Sequence, residues 1–187
     1  MILPIYVYGH PVLRRQCVDV EPDTDRQELK QLVADMYETM AHAEGVGLAA
    51  PQIGKNLRLI VIDASPLADN FEECRGRRFT LVNPEIDILE GEKVKRSEGC
   101  LSVPGLSENV ERVEHIVLNW LDEDFNEHEE EMHGFLARIV QHEMDHLEGK
   151  LYTDRISPIR KQLIAKRLSN IADGRTRADY ATRAPHK

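Results

Sequence analysis

The chain has 187 residues, 41% of them hydrophobic, which is enough for one domain with a substantial core; its formal net charge is −9. No apolar run reaches the length of a membrane span, and the start, Met1 to Tyr6, lacks the basic flank and long apolar core of a signal peptide, so a soluble cytoplasmic protein with neither membrane nor DNA as partner is expected. Cysteines at 17, 74 and 100 form an odd, scattered set, which argues against a disulfide framework and leaves a thiol free to act as ligand or nucleophile.

In chain order, Gly9-His10-Pro11 makes the first 22 residues read as an irregular arm packed on the domain. Thr24 with Gln27 has the form of a capping box, and Leu29, Leu32, Val33, Met36 and Met40 then recur at helical spacing until Gly45. Gly45 to Gly54 holds three glycines and a proline with small side chains between, a backbone that something approaches closely or a tight turn leading to a strand. It lacks the Lys-Ser/Thr ending of a phosphate loop and the spacing of a dinucleotide fingerprint.

Leu57 to Asp63 reads as a strand, followed by an exposed loop from Ser65 to Arg78 that contains Cys74. Phe79 to Leu89 and Lys93 to Ser97 flank Glu90-Gly91-Glu92 and predict a hairpin. A second hairpin is expected from Glu114 to Leu121 and Glu127 to His133, joined by an acidic turn that lacks the spacing of a calcium loop. Between these pairs, Glu98-Gly99-Cys100-Leu101-Ser102-Val103-Pro104-Gly105 places a thiol in a bend.

Phe135, Leu136, Ile139, Val140, Met144 and Leu147 keep a helical period through Gln141-His142-Glu143-Met144-Asp145-His146, and Gly149 supplies a stop. Histidines four apart share one helix face, so His142 and His146 can reach one metal ion with Glu143 beside them, the pattern of a hydrolytic metal site. Such a site needs a third protein ligand. Where peptidases place a third histidine this chain has Tyr152, and no glutamate follows Glu148, so the third ligand is expected upstream. Cys100 is a candidate beside its plainer reading as a small buried residue.

Ser157-Pro158 opens a last helix carried by Ile159, Leu163, Ile164, Leu168 and Ile171 and ended by Gly174, after which residues 175–187 are expected to be a flexible tail on a single catalytic domain spanning 1–187. Arg155 to Lys187 holds nine Lys or Arg against two Asp, leaving +7 there and −16 on residues 1–154. Hairpins around one internal helix, with helices toward both ends, imply an α+β fold of mostly antiparallel sheet packed around a central metal-binding helix.

Three stretches, Gly45 to Gly54, Glu98 to Ser102 and Gln141 to Gly149, resemble in order the signature motifs of the peptide deformylases, and Gly9 to Arg14 is similar to that family's N-terminal segment. The resemblance spans roughly residues 9 to 155 and implies removal of the formyl group from the N-terminal formylmethionine of new polypeptides, releasing formate. It implies Cys100, His142 and His146 as metal ligands with water in the fourth position. Glu143 would act as general base and acid while that water attacks the formyl carbon, with Gln52 and the backbone amide of Leu101 as oxyanion donors and Gly47 offering its backbone to the substrate. The family's native ion is iron(II), replaceable by nickel, cobalt or zinc, whereas the Cys-His-His donor set by itself suggests zinc.

Specificity for methionine needs an apolar slot, and helical spacing back from His142 lets Ile139, Arg138 and Phe135 face it, with Val46 closing it from the loop. Arg138 and Arg96 depart from the family's more apolar pattern, and their stems are expected to line the slot with the charges turned to water. Glu98 is expected to pair with Arg112 and brace the cysteine strand. The expected partners are N-formylmethionyl nascent peptides and, through the basic segment, the ribosome. The rival readings are a metal-dependent endopeptidase and a ribosome-binding protein with a structural metal.

Overall fold

The computed structural model describes residues 1–185. Helix α1 spans Arg26–His42. Its cap is Asp25, one residue beyond the expected Thr24: the Asp25 carboxylate accepts from the amides of Gln27 and Glu28 at 2.8 and 3.0 Å and satisfies two donors that a helix start leaves open.

Strands β2 (Gly47–Ala49), β3 (Leu59–Asp63), β4 (Arg78–Gly99), β5 (Ser107–Leu121) and β6 (Glu127–His133) form one sheet in that order, each antiparallel to its neighbour. A two-residue strand β1 (Ile5–Tyr6) lies outside it, as does its partner β7 (Thr182–Arg183). The α+β class expected from the sequence is the fold observed. Leu59 to Ile62 is apolar without alternation because both faces of β3 are covered. Leu59 and Val61 pack with Val33, Met36 and Met40 of α1. Ile60 and Ile62 pack with Leu136, Val140 and Leu147 of helix α2 (Gly134–Leu147) on the other side. Full burial of one such side chain contributes about 1.5–3 kcal/mol.

The first expected hairpin is not one. Phe79 to Ser97 belongs to a single 22-residue strand, β4, paired along β5. Glu90-Gly91-Glu92 is an irregularity in that ladder, with the register shifting between Glu90 and Lys93 and Gly91 at φ +95°. Glycine tolerates that conformation, so the extra residues bulge and bend the strand where a turn would have reversed it. The second hairpin forms as expected, β5 and β6 pairing from His115↔His133 to Leu121↔Glu127. The stretch 65–78 contains two short 3-10 turns, and Cys74 at its heart is fully buried against the α2 core, whereas an exposed loop was expected.

Ser157 caps helix α3 (Pro158–Ala172), which buries Ile164, Leu168 and Ile171 against Val103, Leu106 and Val110. Ile159 and Leu163, read as core positions, are exposed, since the helix uses only one narrow stripe. The expectation of a flexible tail also needs correction: β7 pairs in parallel with β1, Ile5 opposite Thr182 and Tyr6 opposite Arg183. The Tyr180 hydroxyl donates to the Leu101 carbonyl at 2.7 Å, so residues up to 185 are tied to the body, while 186 and 187 of the expected tail lie outside the described residues.

Candidate metal centre

Almost every side chain of α2 from Leu136 to Leu147 is buried, because the helix runs through the interior between the sheet and the Cys100 turn. Its N-terminus has no cap of its own; Glu73 supplies one from the 65–78 stretch, its Oε1 accepting from the Phe135 amide at 2.7 Å. The helix thus carries His142 and His146 to the turn after β4. There the Cys100 Sγ stands 3.3 Å from His146 Nε2, and the three donor side chains, Cys100, His142 and His146, lie with ligand atoms within 4.8 Å of one another.

Glu98 orients this set. Its Oε2 lies 2.9 Å from His142 Nδ1, which leaves the other ring nitrogen toward the thiol. The expected pair with Arg112 is formed, Nε and one terminal nitrogen meeting the two Glu98 oxygens at 2.6 and 2.9 Å. Arg112 continues to Asp145 at 3.0 Å, and Asp145 holds Arg155. Burial alone would raise the Glu98 carboxyl, but His142 and Arg112 outweigh it and hold its pKa far below the usual carboxylate range. Burial likewise disfavours a charged His142, yet hydrogen bonds with Cys100 and Glu98 push that ring well above its ordinary value. His146, buried beside positive neighbours, is pushed well below.

A cavity of about 430 Å³ opens beside this set. Val46, Gly47, Gln52, Cys100, Leu101, Phe135, Arg138, Ile139, His142 and Glu143 all line it, whereas His146 does not. Phe135 stacks on Phe71 at 4.1 Å between ring centroids, giving one wall an aromatic floor. Arg138 lines the cavity, but its charge is not turned to water as expected: the guanidinium is buried, donating to Glu98 Oε1 at 2.7 Å and the Val110 carbonyl at 2.9 Å. A charge so deep is tolerated only because it is paired. Arg96 does not line the cavity and meets Glu114 at 3.4 Å.

Gln52 is fixed by its own neighbours. Its Oε1 accepts from the Ala49 amide at 2.9 Å and its Nε2 donates to Ser102 Oγ at 3.1 Å while standing 3.6 Å from Cys100 Sγ. Glu143 Oε2 is buried with no hydrogen-bond partner among the described residues. Burial raises its pKa to about 7, against the lowering pull of His142 and Arg112. A buried carboxylate edge without a partner, next to thiol and imidazole donors, fits a site that holds a cation and a polar reactant. Sequence reading missed Ser102, which aims Gln52, Glu73, which caps α2, and Tyr180, which reaches the cavity from the far end of the chain. None carries a local signal, since each acts through a partner more than 45 residues away.

Gly47 abuts Glu143: a Cβ there would overlap the carboxylate, with Cγ and Cδ each at 2.8 Å. Gly47→Ala should therefore keep the fold, by circular dichroism, while any turnover in this cavity that depends on the Glu143 carboxylate falls about 100-fold or more as that carboxylate is displaced.

A soft thiol, two imidazoles and an adjacent carboxylate in a half-closed cavity define a centre of the kind used by metal-dependent hydrolases. The polypeptide deformylase family profile matches residues 2–162, and the chain belongs to that family. It is 45% identical to the peptide deformylase of Flavobacterium psychrophilum, over 96% of this chain and 95% of that one. Among solved structures it is similar to a peptide deformylase from Legionella pneumophila, with TM-score 0.80 and 36% identity over 95% of this chain and all of that one. It is also similar to the peptide deformylase from Thermus thermophilus, with TM-score 0.80 and 40% identity, covering 91% and 98%.

Proposed function

We propose that this enzyme removes the formyl group from the N-terminal formylmethionine of newly made polypeptides in the cytoplasm, with Cys100, His142 and His146 holding one divalent ion. The observation that carries the reading is the unpartnered Glu143 Oε2 in the cavity beside that donor set. The ion, when bound, supplies a water acidified toward neutral pH and a positive charge beside the formyl oxygen. Glu143 accepts the proton from the attacking water and passes it to the departing amine, work for which a carboxyl near neutrality is suited, although a bound cation would pull its value down. Gln52 Nε2, held by Ser102, and the Leu101 amide donate to the oxygen as charge develops there. Gly47 pairs with the peptide backbone, and Val46, Phe135, Ile139 and the stem of Arg138 receive the methionine side chain.

The ion we assign in the cell is iron(II), on the family resemblance, with zinc, nickel or cobalt as substitutes. A ribosome contact through the basic segment fits less readily, because Arg155, Arg160, Lys161 and Arg175 are each engaged with Asp145, Glu108, Asp154 and Asp173. No described helix is long and apolar enough to cross a membrane. The test is formate release from a short formyl-methionyl peptide by protein purified without oxygen, with its metal identified by elemental analysis. One equivalent of iron and formate stoichiometric with the freed amine are expected. A metal-loaded protein that releases no formate, or that cleaves internal peptide bonds, would overturn the reading.

A further inference from the structure

A second set of metal-type donors gathers on the sheet, outside that cavity. The strand registers place Glu90 of β4 opposite His115 of β5, and His115 opposite His133 of β6. Glu131, two residues before His133, shares its face of the sheet. Glu131 Oε1 lies 2.9 Å from His115 Nε2 and 3.2 Å from His133 Nε2, and one donor atom from each of the three residues falls within 4.8 Å of the others. On the opposite edge of the His115 ring, Nδ1 stands 3.2 Å from Glu90 Oε1. The two rings are stacked, 10° from parallel with centroids 4.7 Å apart. His115 Nε2 is buried, and its approach to Glu131 lacks hydrogen-bond geometry, leaving it unpartnered among the described residues.

The ordinary account of such a cluster is a set of solvated hydrogen bonds and ion pairs, with Glu131 standing between the two rings. That account leaves His115 Nε2 buried, 2.9 Å from a Glu131 oxygen and without a hydrogen bond to it among the described residues. A divalent cation accounts for it, taking one carboxylate oxygen and the Nε2 lone pair of each neutral ring once the exposed His133 ring turns out of its stack on His115 so that both lone pairs meet at one ion, a borderline-hard donor set suited to zinc, nickel or copper. Glu90 then has the part that a carboxylate commonly takes behind a ligating histidine: accepting from Nδ1–H, it fixes the tautomer that leaves Nε2 free. With residues 1–154 strongly acidic, the surrounding field also favours a cation.

We propose that His115, His133 and Glu131 form a second, surface-accessible site for a divalent transition metal, with Glu90 as its orienting carboxylate. The site clips β5 to β6 one residue before Gly134, where the helix bearing His142 and His146 begins.

The test uses protein already carrying one metal equivalent, dialysed against buffered ZnCl2 up to about 10 µM free zinc, with all metals counted by elemental analysis. Two equivalents per chain are expected, falling to one in the His115→Asn/His133→Asn double variant, whose formate release stays at the parental rate because neither ring touches the catalytic cavity. Glu90→Gln, which disturbs no ligand, should weaken the second equivalent about 10- to 100-fold in competition with a chromophoric chelator. A parental protein that stays at one equivalent overturns the proposal. So does a folded double variant that takes up the second equivalent unchanged, or a Glu90→Gln variant with unaltered affinity.

Discussion

Replacing Glu143 with alanine leaves one metal equivalent bound and lowers formate release by about 100- to 10,000-fold, the usual worth of a positioned proton carrier. The three donor side chains, Cys100, His142 and His146, and the Glu98 contact at His142 do not pass through Glu143, which is why metal content and activity are expected to separate. Glu143→Gln gives the sharper comparison, since it keeps the shape that packs against Gly47 and removes only the ability to accept a proton. A second readout comes from the metal-free proteins. Burial raises the Glu143 carboxyl to about 7 in the folded state, so the folded chain binds the proton more tightly than the unfolded one. Stability of the metal-free parent should therefore fall as pH rises from the ordinary carboxylate range toward 7 and then level off. Glu143→Gln should lose that decline, becoming more stable than the parent at neutral pH when unfolding by urea is followed with and without chelator. A Glu143→Gln variant that retained full activity would remove the proton-carrier role.

Replacing Arg112 with alanine costs about 3–5 kcal/mol of stability, the penalty for stripping a partner from buried opposite charges. Its side chain is 1% exposed and Glu98 5%, so solvent cannot take over the lost interaction. Against a typical total of about 5–15 kcal/mol, the loss brings the domain near its limit. Metal affinity should drop as well, by about 10- to 100-fold, because Glu98 holds the His142 ring in place. Acid sensitivity follows in a defined direction. Glu98 is depressed in the folded state, so its contribution is present above the unfolded carboxylate range and is lost only as pH falls through its much lower folded value. In Arg112→Ala the folded value climbs, and the acid-unfolding midpoint moves up. Arg112→Ala with parental stability, metal content and acid midpoint would show that Glu98 is braced chiefly by Arg138 and His142, which also contact it.

What could be read in advance follows the range over which each feature is encoded. The histidine pair, Glu143 and their helix are local, written at a spacing of four residues, and the cysteine bend is announced by its Pro-Gly. The β5–β6 hairpin is short-range too, with an acidic turn between two runs that pair directly. The misreading of Glu90-Gly91-Glu92 shows the boundary. A glycine at positive φ serves a turn or a bulge equally well, and what decides here is the long partner β5, which pairs with β4 on both sides of Gly91. Thr24 and Asp25 both suit a helix cap, and the one whose carboxylate reaches two amides prevails. Arg138 looked like an amphipathic pocket wall, yet its guanidinium turns inward because Glu98 and two strand carbonyls, from distant parts of the chain, offer it a buried receptor. Tyr180 and Glu73 belong to the same class of feature: ordinary residues whose importance lies wholly in what they touch.

The clasp of β7 on β1, with Tyr180 gripping the Leu101 carbonyl, sets an order on the protein's own birth. Helix α2, the long hairpins and the ligand residues are all synthesised before residue 150, and their contacts can form while translation continues. The tether on Leu101 arrives 79 residues later in the chain than the loop it fastens, and the β1–β7 zipper must join Ile5 to Thr182, a long-range and slow kind of contact to make. The loop that carries the candidate ligand thiol of Cys100 is thus the last part of the centre to be secured.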